Sequence, residues 1–135
     1  MANALFDAGR AGFLSGLADW DTHTFKLVCV DHADDLPNVT TDDNYDDIAS
    51  AARVAVSSAL TSPTTTAGVA DAADVTLTSV TGDQFESIVI FKDTGVESTS
   101  LLIAFIDTAT GLPLTPNGGD VTIAWDNGAN RIFKL

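Results

Sequence analysis

The sequence predicts a mainly β protein: a single-domain antiparallel β-sandwich or jelly-roll-like fold with a short N-terminal helix. Two observations carry that prediction. The acids are almost all aspartate, since Glu86 and Glu97 are the only glutamates among 19 acidic residues. Aspartate's short carboxylate bonds nearby backbone, which favours turns and caps over helix interiors. The apolar residues, for their part, fall into short runs separated by Gly, Pro, Asn and Asp, the spacing of many short strands. A chain of 135 residues is one ordinary domain, long enough to bury a core without disulfides or metal.

Taken in order, residues 1–20 read as a helical segment, and 3–17 as its helix. Leu5, Phe6, Phe13, Leu14 and Leu17 recur near helical spacing, and Asn3 is placed to cap. Gly9, Gly12 and Gly16 each weaken such a helix by up to ~1 kcal/mol relative to Ala, so it is expected to form by docking its Phe-bearing face on the sheet or on a neighbouring subunit. Residues 21–135 are the β-sandwich. In "TFKLVCVD", Phe25, Leu27 and Cys29 share one face while Val28 and Val30 share the other, so both faces are expected to be covered. Cys29, the only cysteine, is then a core residue and excludes an intrachain disulfide.

An acidic loop over 31–49 follows, with no Lys or Arg and a short helical turn expected at 45–49. Strands are expected near 53–60, 64–69 and 74–80, broken at Pro63 and Gly68. "ESIVIFKD" and "SLLIAFID" are near-continuous apolar runs, read as a central hairpin closed by "DTGVESTS". "DVTIAWD" and "RIFKL" supply the last strands. "DVTLTS" and "DVTIAW" echo one another as shared strand-entry grammar. The Asn-Gly pairs in "PNGG" and "DNGAN" are read as hairpin turns, because they tolerate positive φ.

The formal net charge of -13, with six scattered Lys and Arg, argues against nucleic acid as a partner, because phosphate binding runs on clustered cations. No stretch approaches the ~18 apolar residues that span a bilayer. The opening "MANALFDAGRAGFLSG" lacks the basic-then-apolar order of a signal peptide, so a protein made and kept in a cytosol, or leaving it by a route other than secretion, is expected.

Tests for chemistry return little. Asp42, Asn44 and Asp46 stand at the first, third and fifth positions of an EF-hand pattern. The sixth position, which needs Gly, is Asp47, and the twelfth, which needs Glu, is Arg53. A looser calcium cage from Asp42, Asp43, Asp46 and Asp47 is the metal alternative to a solvated loop. "GFLSG" is not a nucleophile elbow, no serine, cysteine or lysine is paired by motif with His23 or His32, and no phosphate loop or zinc spacing is present. No enzyme and no cofactor are expected. Trp125 is in phase with Val121 and Ile123 and reads as core; Trp20, in "DWD", reads as a structural plug or a contact residue.

Nearly the whole chain resembles a group of small virion structural proteins encoded in tailed-bacteriophage genomes. The resembling stretches are "MANALFDAGRAGFLSG", "DWDTHTFKLVCVD", "ARVAVSSAL", "GVADAADVT", "VTGDQFESIVIFKDTG", "LLIAFIDTATGLPLTPNGGDVTIAWDNG" and "RIFKL". The resemblance implies a capsid decoration (cement) protein or another part of the particle, with the acidic loop as the stretch departing most from its relatives. Expected partners are the major capsid protein and copies of itself, a trimer before a dimer, in a virion assembled in the host cytoplasm. Leu5, Phe6, Arg10, Phe13, Leu14 and Trp20 are the interface candidates, and an edge strand near 64–69 is a second contact element. The alternative is a tail or head-fibre component that binds host glycans.

Overall fold

A computed structural model describes residues 3–135. Its elements are β1 (Ala4–Leu5), α1 (Asp7–Ser15), β2 (Phe25–Val30), β3 (Arg53–Val56), β4 (Val69–Ala70), β5 (Val75–Leu77), β6 (Ser87–Lys92), β7 (Leu102–Ile106), β8 (Val121–Ile123) and β9 (Phe133–Lys134). One five-stranded sheet has the order β1-β7-β6-β2-β3, and the ribbons β4-β9 and β5-β8 stand apart from it. Every pairing is antiparallel. The fold is mainly β with one helix near the N-terminus, consistent with a β-sandwich in which the second layer is divided into two ribbons.

The apolar runs become the middle of the large sheet. β2 pairs with β6 in continuous register from Phe25↔Lys92 to Val30↔Ser87, and β6 pairs with β7 in the hairpin read from the sequence. Alternation then loads both faces. Phe25, Leu27, Cys29, Ile88, Ile90 and Ile103 join one core with Trp20, Leu77, Phe85 and Trp125. Val28, Val30, Val89, Phe91, Leu102 and Phe105 join a second with Phe6, Tyr45, Ile48 and Ala52. Fully burying side chains of this size stabilises by about 1.5–3 kcal/mol each, so neither face tolerates exposure.

The N-terminal segment departs from its reading in an informative way. The helix starts at Asp7, and Asn3 caps nothing: its Oδ1 accepts the N–H groups of Asp107 and Thr108, tying the segment beyond the end of β7. Residues 4 and 5 extend as β1 along β7, and the Phe6 N–H donates to Ile103 O at 2.9 Å. The glycines explain the rest. A side chain at Gly9 would meet the backbone of Ile103 and Leu102 at 2.9 Å, and one at Gly12 would collide with Leu101. Helix propensity is traded for a close approach between helix and strand. Gly16 ends the helix in the left-handed region at φ 82, the usual C-terminal cap.

Other readings shift similarly. The strand expected over 53–60 stops at Val56, and the one over 64–69 becomes a Thr64↔Asp71 bridge, a 3-10 turn at Thr66–Gly68 and β4. The helical turn expected at 45–49 is a 3-10 turn over Tyr45–Asp47, and a second one, Ser50–Ala52, follows the loop. The echoing segments pair with each other as β5 and β8, with Thr76 opposite Thr122. The Asn-Gly pairs are not hairpin turns. Gly118, at φ 85, feeds the chain past Val80 into β8, and Gly128 lies outside the positive-φ region with its N–H on Asp126 Oδ1.

Gly9→Ala tests the helix contact. Although alanine favours a helix by about 1 kcal/mol over glycine, overpacking against immovable backbone is expected to give a net loss of about 1–3 kcal/mol. Urea unfolding checks it, with a gain in stability as the contrary result.

Candidate functional site

The sequence-derived interface candidates divide once they are placed. Phe6 is fully buried among Val30, Phe91 and Phe105, and Leu5 packs against the opposite core. Trp20 is a plug: its Nε1–H donates to Asp71 O at 3.0 Å, and its ring lies 4.7 Å from Phe25 and edge-on to Phe133 at 5.3 Å. The expectation that Phe6 and Trp20 face a partner is therefore corrected, because the chain's own sheet and ribbon take them up, while Leu5 stays half-buried. Arg10 stays at the surface, paired with Asp7 at 3.0 Å.

The remaining candidates gather at the C-terminal end of α1. Leu14 is 91% exposed and Leu17 62%. Phe13 tilts against Phe133 at 5.8 Å and lines a hollow of about 280 Å³ with Gly16, Trp20, Val69 and Leu135. Leu135 is itself 62% exposed. The end of the helix is held by the Ala18 N–H on Gly12 O and by the Lys92 ammonium on Leu17 O. These exposed leucines thus sit on a fixed support, not on a frayed end. The sequence showed Leu14 as part of a helical stripe; that it faces outward follows only from Gly9 and Gly12 being the face that docks.

The carboxylates do a different job. Asp31, Asp35, Asp42, Asp47, Asp74, Asp93, Asp120 and Asp126 each accept a backbone N–H, at 2.7–3.1 Å. Asp47 takes the N–H groups of both Asp43 and Asn44, closing a capping box with Asn44. The calcium set from Asp42, Asp43, Asp46 and Asp47 is corrected on this ground: two of the four are turned onto local backbone, and the four do not converge. Among the described residues, the three acids that bring ligand atoms within 4.8 Å of one another are Asp31, Asp34 and Asp83.

One cation organises the acidic loop. Arg53 donates to Ile48 O and Tyr45 O at 2.9 Å each and to Glu97 Oε1 at 2.9 Å. Its guanidinium lies 4.0 Å above the Tyr45 ring, which stacks on Phe91 at 4.2 Å. This layered contact fastens the loop over the second core. The sequence signal was available: Arg53 is the first basic residue after a cation-free acidic stretch. Burial is the main reason the Tyr45 phenol titrates above its ordinary range. Elsewhere, the hydrogen bond from Lys26, whose ammonium lies at 2.7 Å, holds the Asp93 carboxyl below its usual range. At the exposed "DWD" turn the Asp19–Asp21 contact lowers the first carboxyl and raises the second.

His32, left without a partner by motif, has one in space. Its Nε2 lies 2.8 Å from Ser87 Oγ, its ring stacks on Phe105 at 5.9 Å, and its backbone N–H donates to Glu86 Oε2 at 2.9 Å. Ser87 is fully buried at the start of β6, so this pair clamps the turn after β2 to β6 and does not present a nucleophile. Cys29 is likewise buried, and desolvation pushes its thiol up to about 12.

Among the described residues no helix is long and apolar enough to cross a membrane. Neither a protein-family model nor a curated protein matches this chain.

Cys29 gives a direct check of core integrity. A disulfide reagent at pH 8 is expected to leave the native protein unlabelled and to label it stoichiometrically in denaturant, since the thiolate is the reactive form. Rapid native labelling would show the β2–β6 core open.

Proposed function

We propose that this protein is a non-enzymatic structural component of a tailed-bacteriophage virion, a decoration protein that docks on the outer surface of the major capsid shell. The observation that carries this reading is the apolar end of α1, with Leu14 and Leu17 exposed beside the Phe13–Leu135 hollow on an otherwise acidic domain. Apolar patches rimmed by polar surface mark contact sites. A net charge of -13 favours solubility and keeps free copies apart until they dock. The turn-bound aspartates support the same reading, because they build an outer skin instead of a reactive cleft.

Partners in this reading are the major capsid protein and further copies of the chain, a trimer first, since symmetric shells favour symmetric assemblies. The protein would then be part of a virion assembled in the host cytoplasm. The glycan-binding alternative has less support. Both tryptophans are at most 9% exposed, with Trp125 Nε1–H on Ala73 O and Trp20 Nε1–H on Asp71 O, so neither ring offers a stacking platform.

Two measurements on purified particles test the proposal. Quantitative mass spectrometry is expected to find the chain in copy numbers comparable to the shell protein; a handful of copies would assign it to a tail or vertex. Leu14→Asp is expected to change stability by no more than about 0.5 kcal/mol, because the side chain is exposed. It is nonetheless expected to abolish co-sedimentation with shells lacking the protein, and undiminished binding would remove the helix end from the contact.

A further inference from the structure

The two edges of the large sheet are treated in opposite ways. At the β7 edge, β1 adds a strand and α1 covers what lies beyond it, through the Phe6–Ile103 hydrogen bond and the glycine contact. At the other edge, β3 has β2 as its only strand neighbour among the described residues. Its ladder parity leaves the backbone groups of Val56 pointing outward, because Ala55 is opposite Cys29 and the Ser57 N–H donates to Leu27 O. β5 is likewise paired on one side only, with β8.

These two open edges border the same hollow. A space of about 470 Å³ is lined by residues 54–58 along one wall and 76–81 along the other. Consecutive residues line it, not alternate ones, which puts the edges of β3 (residues 54–56) and β5 (residues 76–77) on its walls, each continued by the chain that leaves the strand. Just past Thr81, Gly82 lies against Val54, where a Cβ would stand 3.7 Å from the valine side chain. Natural proteins blunt open edges with charge, proline or a cover. Here none of residues 54–70 and none of 75–82 is charged, in a chain carrying 19 acids, and Val56 is 46% exposed. The local composition keeps both edges competent to pair.

We infer that this slot receives an extended segment of another protein, which adds as a strand between β3 and β5 and joins the large sheet to the β5-β8 ribbon. The occupant is uncharged and rich in β-branched residues along the slot, and it carries basic residues at its ends. Charge sets the second requirement: the domain is at -13, and at the Gly82 end Asp83 stands with Asp31 and Asp34 within 4.8 Å. A second folded copy does not fit the requirement, since a sheet edge that carries its own packed layers cannot enter between two strands, and its charge repels. Strand addition draws affinity from main-chain hydrogen bonds and selectivity from alternate side chains. This inference goes beyond the virion reading and does not depend on the helix end.

The test uses the purified chain and the synthetic peptide Lys-Lys-Thr-Val-Thr-Val-Thr-Val-Lys-Lys, followed by amide exchange and by titration. Binding is expected to slow exchange at Val54, Val56 and within residues 76–80, and to leave the β7 edge unchanged. The same peptide N-methylated at alternate residues is expected to bind about tenfold more weakly or worse, the worth of one or two backbone hydrogen bonds. Val56→Pro, at an edge position that tolerates proline, is expected to do the same while circular dichroism and thermal unfolding stay those of the parent. A glutamate-flanked peptide is expected to bind less tightly still. No binding, equal binding of the methylated peptide, or protection away from the slot would each overturn the inference. So would light scattering that shows a dimer dissolved by Val56→Pro, which would make a second copy the occupant. All arms use isolated protein, so their failure leaves the particle measurements free to succeed.

Discussion

The constraint on which the rest of this structure depends is that its large sheet is apolar on both faces. β2 and β6 alternate between two cores without a polar face, so something must lie above the sheet and something below. The ribbons and Trp20 supply one cover. The other comes from a less obvious source, the aspartate-rich loop, which contributes Tyr45 and Ile48, and the 3-10 turn after it, which contributes Ala52. A loop with that much charge covers a core only if its carboxylates have somewhere else to go: Asp31, Asp35, Asp42 and Asp47 accept backbone N–H groups within the loop itself, and Asp34, Asp43 and Asp46 are exposed. Arg53 then ties the loop down by bonding its carbonyls and stacking on its tyrosine ring.

The same logic links fold to surface. Glycine at positions 9 and 12 brings α1 against β7, so the helix covers an edge that would otherwise pair with foreign strands. Docking by its glycine face forces Leu14 outward. One sheet edge is thereby closed, an apolar helix end is presented, and the opposite edge stays open beside β5. The exposed helix end and the open edge are by-products of how the domain solves its packing.

Much of this was legible in the residues. Period-two alternation in "TFKLVCVD" specified both cores, and the two long apolar runs specified the central hairpin, because a strand buried on both faces needs such runs. The surplus of Asp over Glu pointed to turns. The glycines of the first segment misled as to their effect, because local propensity registers only their cost to a helix; the benefit lies with Ile103, far along the chain. Asn3 was misread for a similar reason, its partners being Asp107 and Thr108. The Asn-Gly pairs carried the right chemistry for a turn, yet the strands they border pair with partners distant in sequence. Candidate contacts fared in proportion to their locality: that Leu14 lies on a helix is local, while its outward direction required the Gly9–Ile103 contact and the burial of Trp20 required Asp71 and Phe133. The slot between β3 and β5 is a relation between two strands, which no single stretch encodes.

The central claim is that the acidic loop is part of the core's closure, not an appended solvated strap. Its attachments to β7 offer the most direct measurement: the Tyr45 N–H donates to Ser100 O at 2.8 Å, and the Leu102 N–H to Asp43 O at 3.0 Å. Native-state hydrogen exchange should find these two amides opening with the free energy of global unfolding, together with Val28 and Val89 in the sheet centre. Exchange at Tyr45 and Leu102 several kcal/mol more readily than at Val28 and Val89 would contradict it, by showing a loop that lifts while the sheet stays whole.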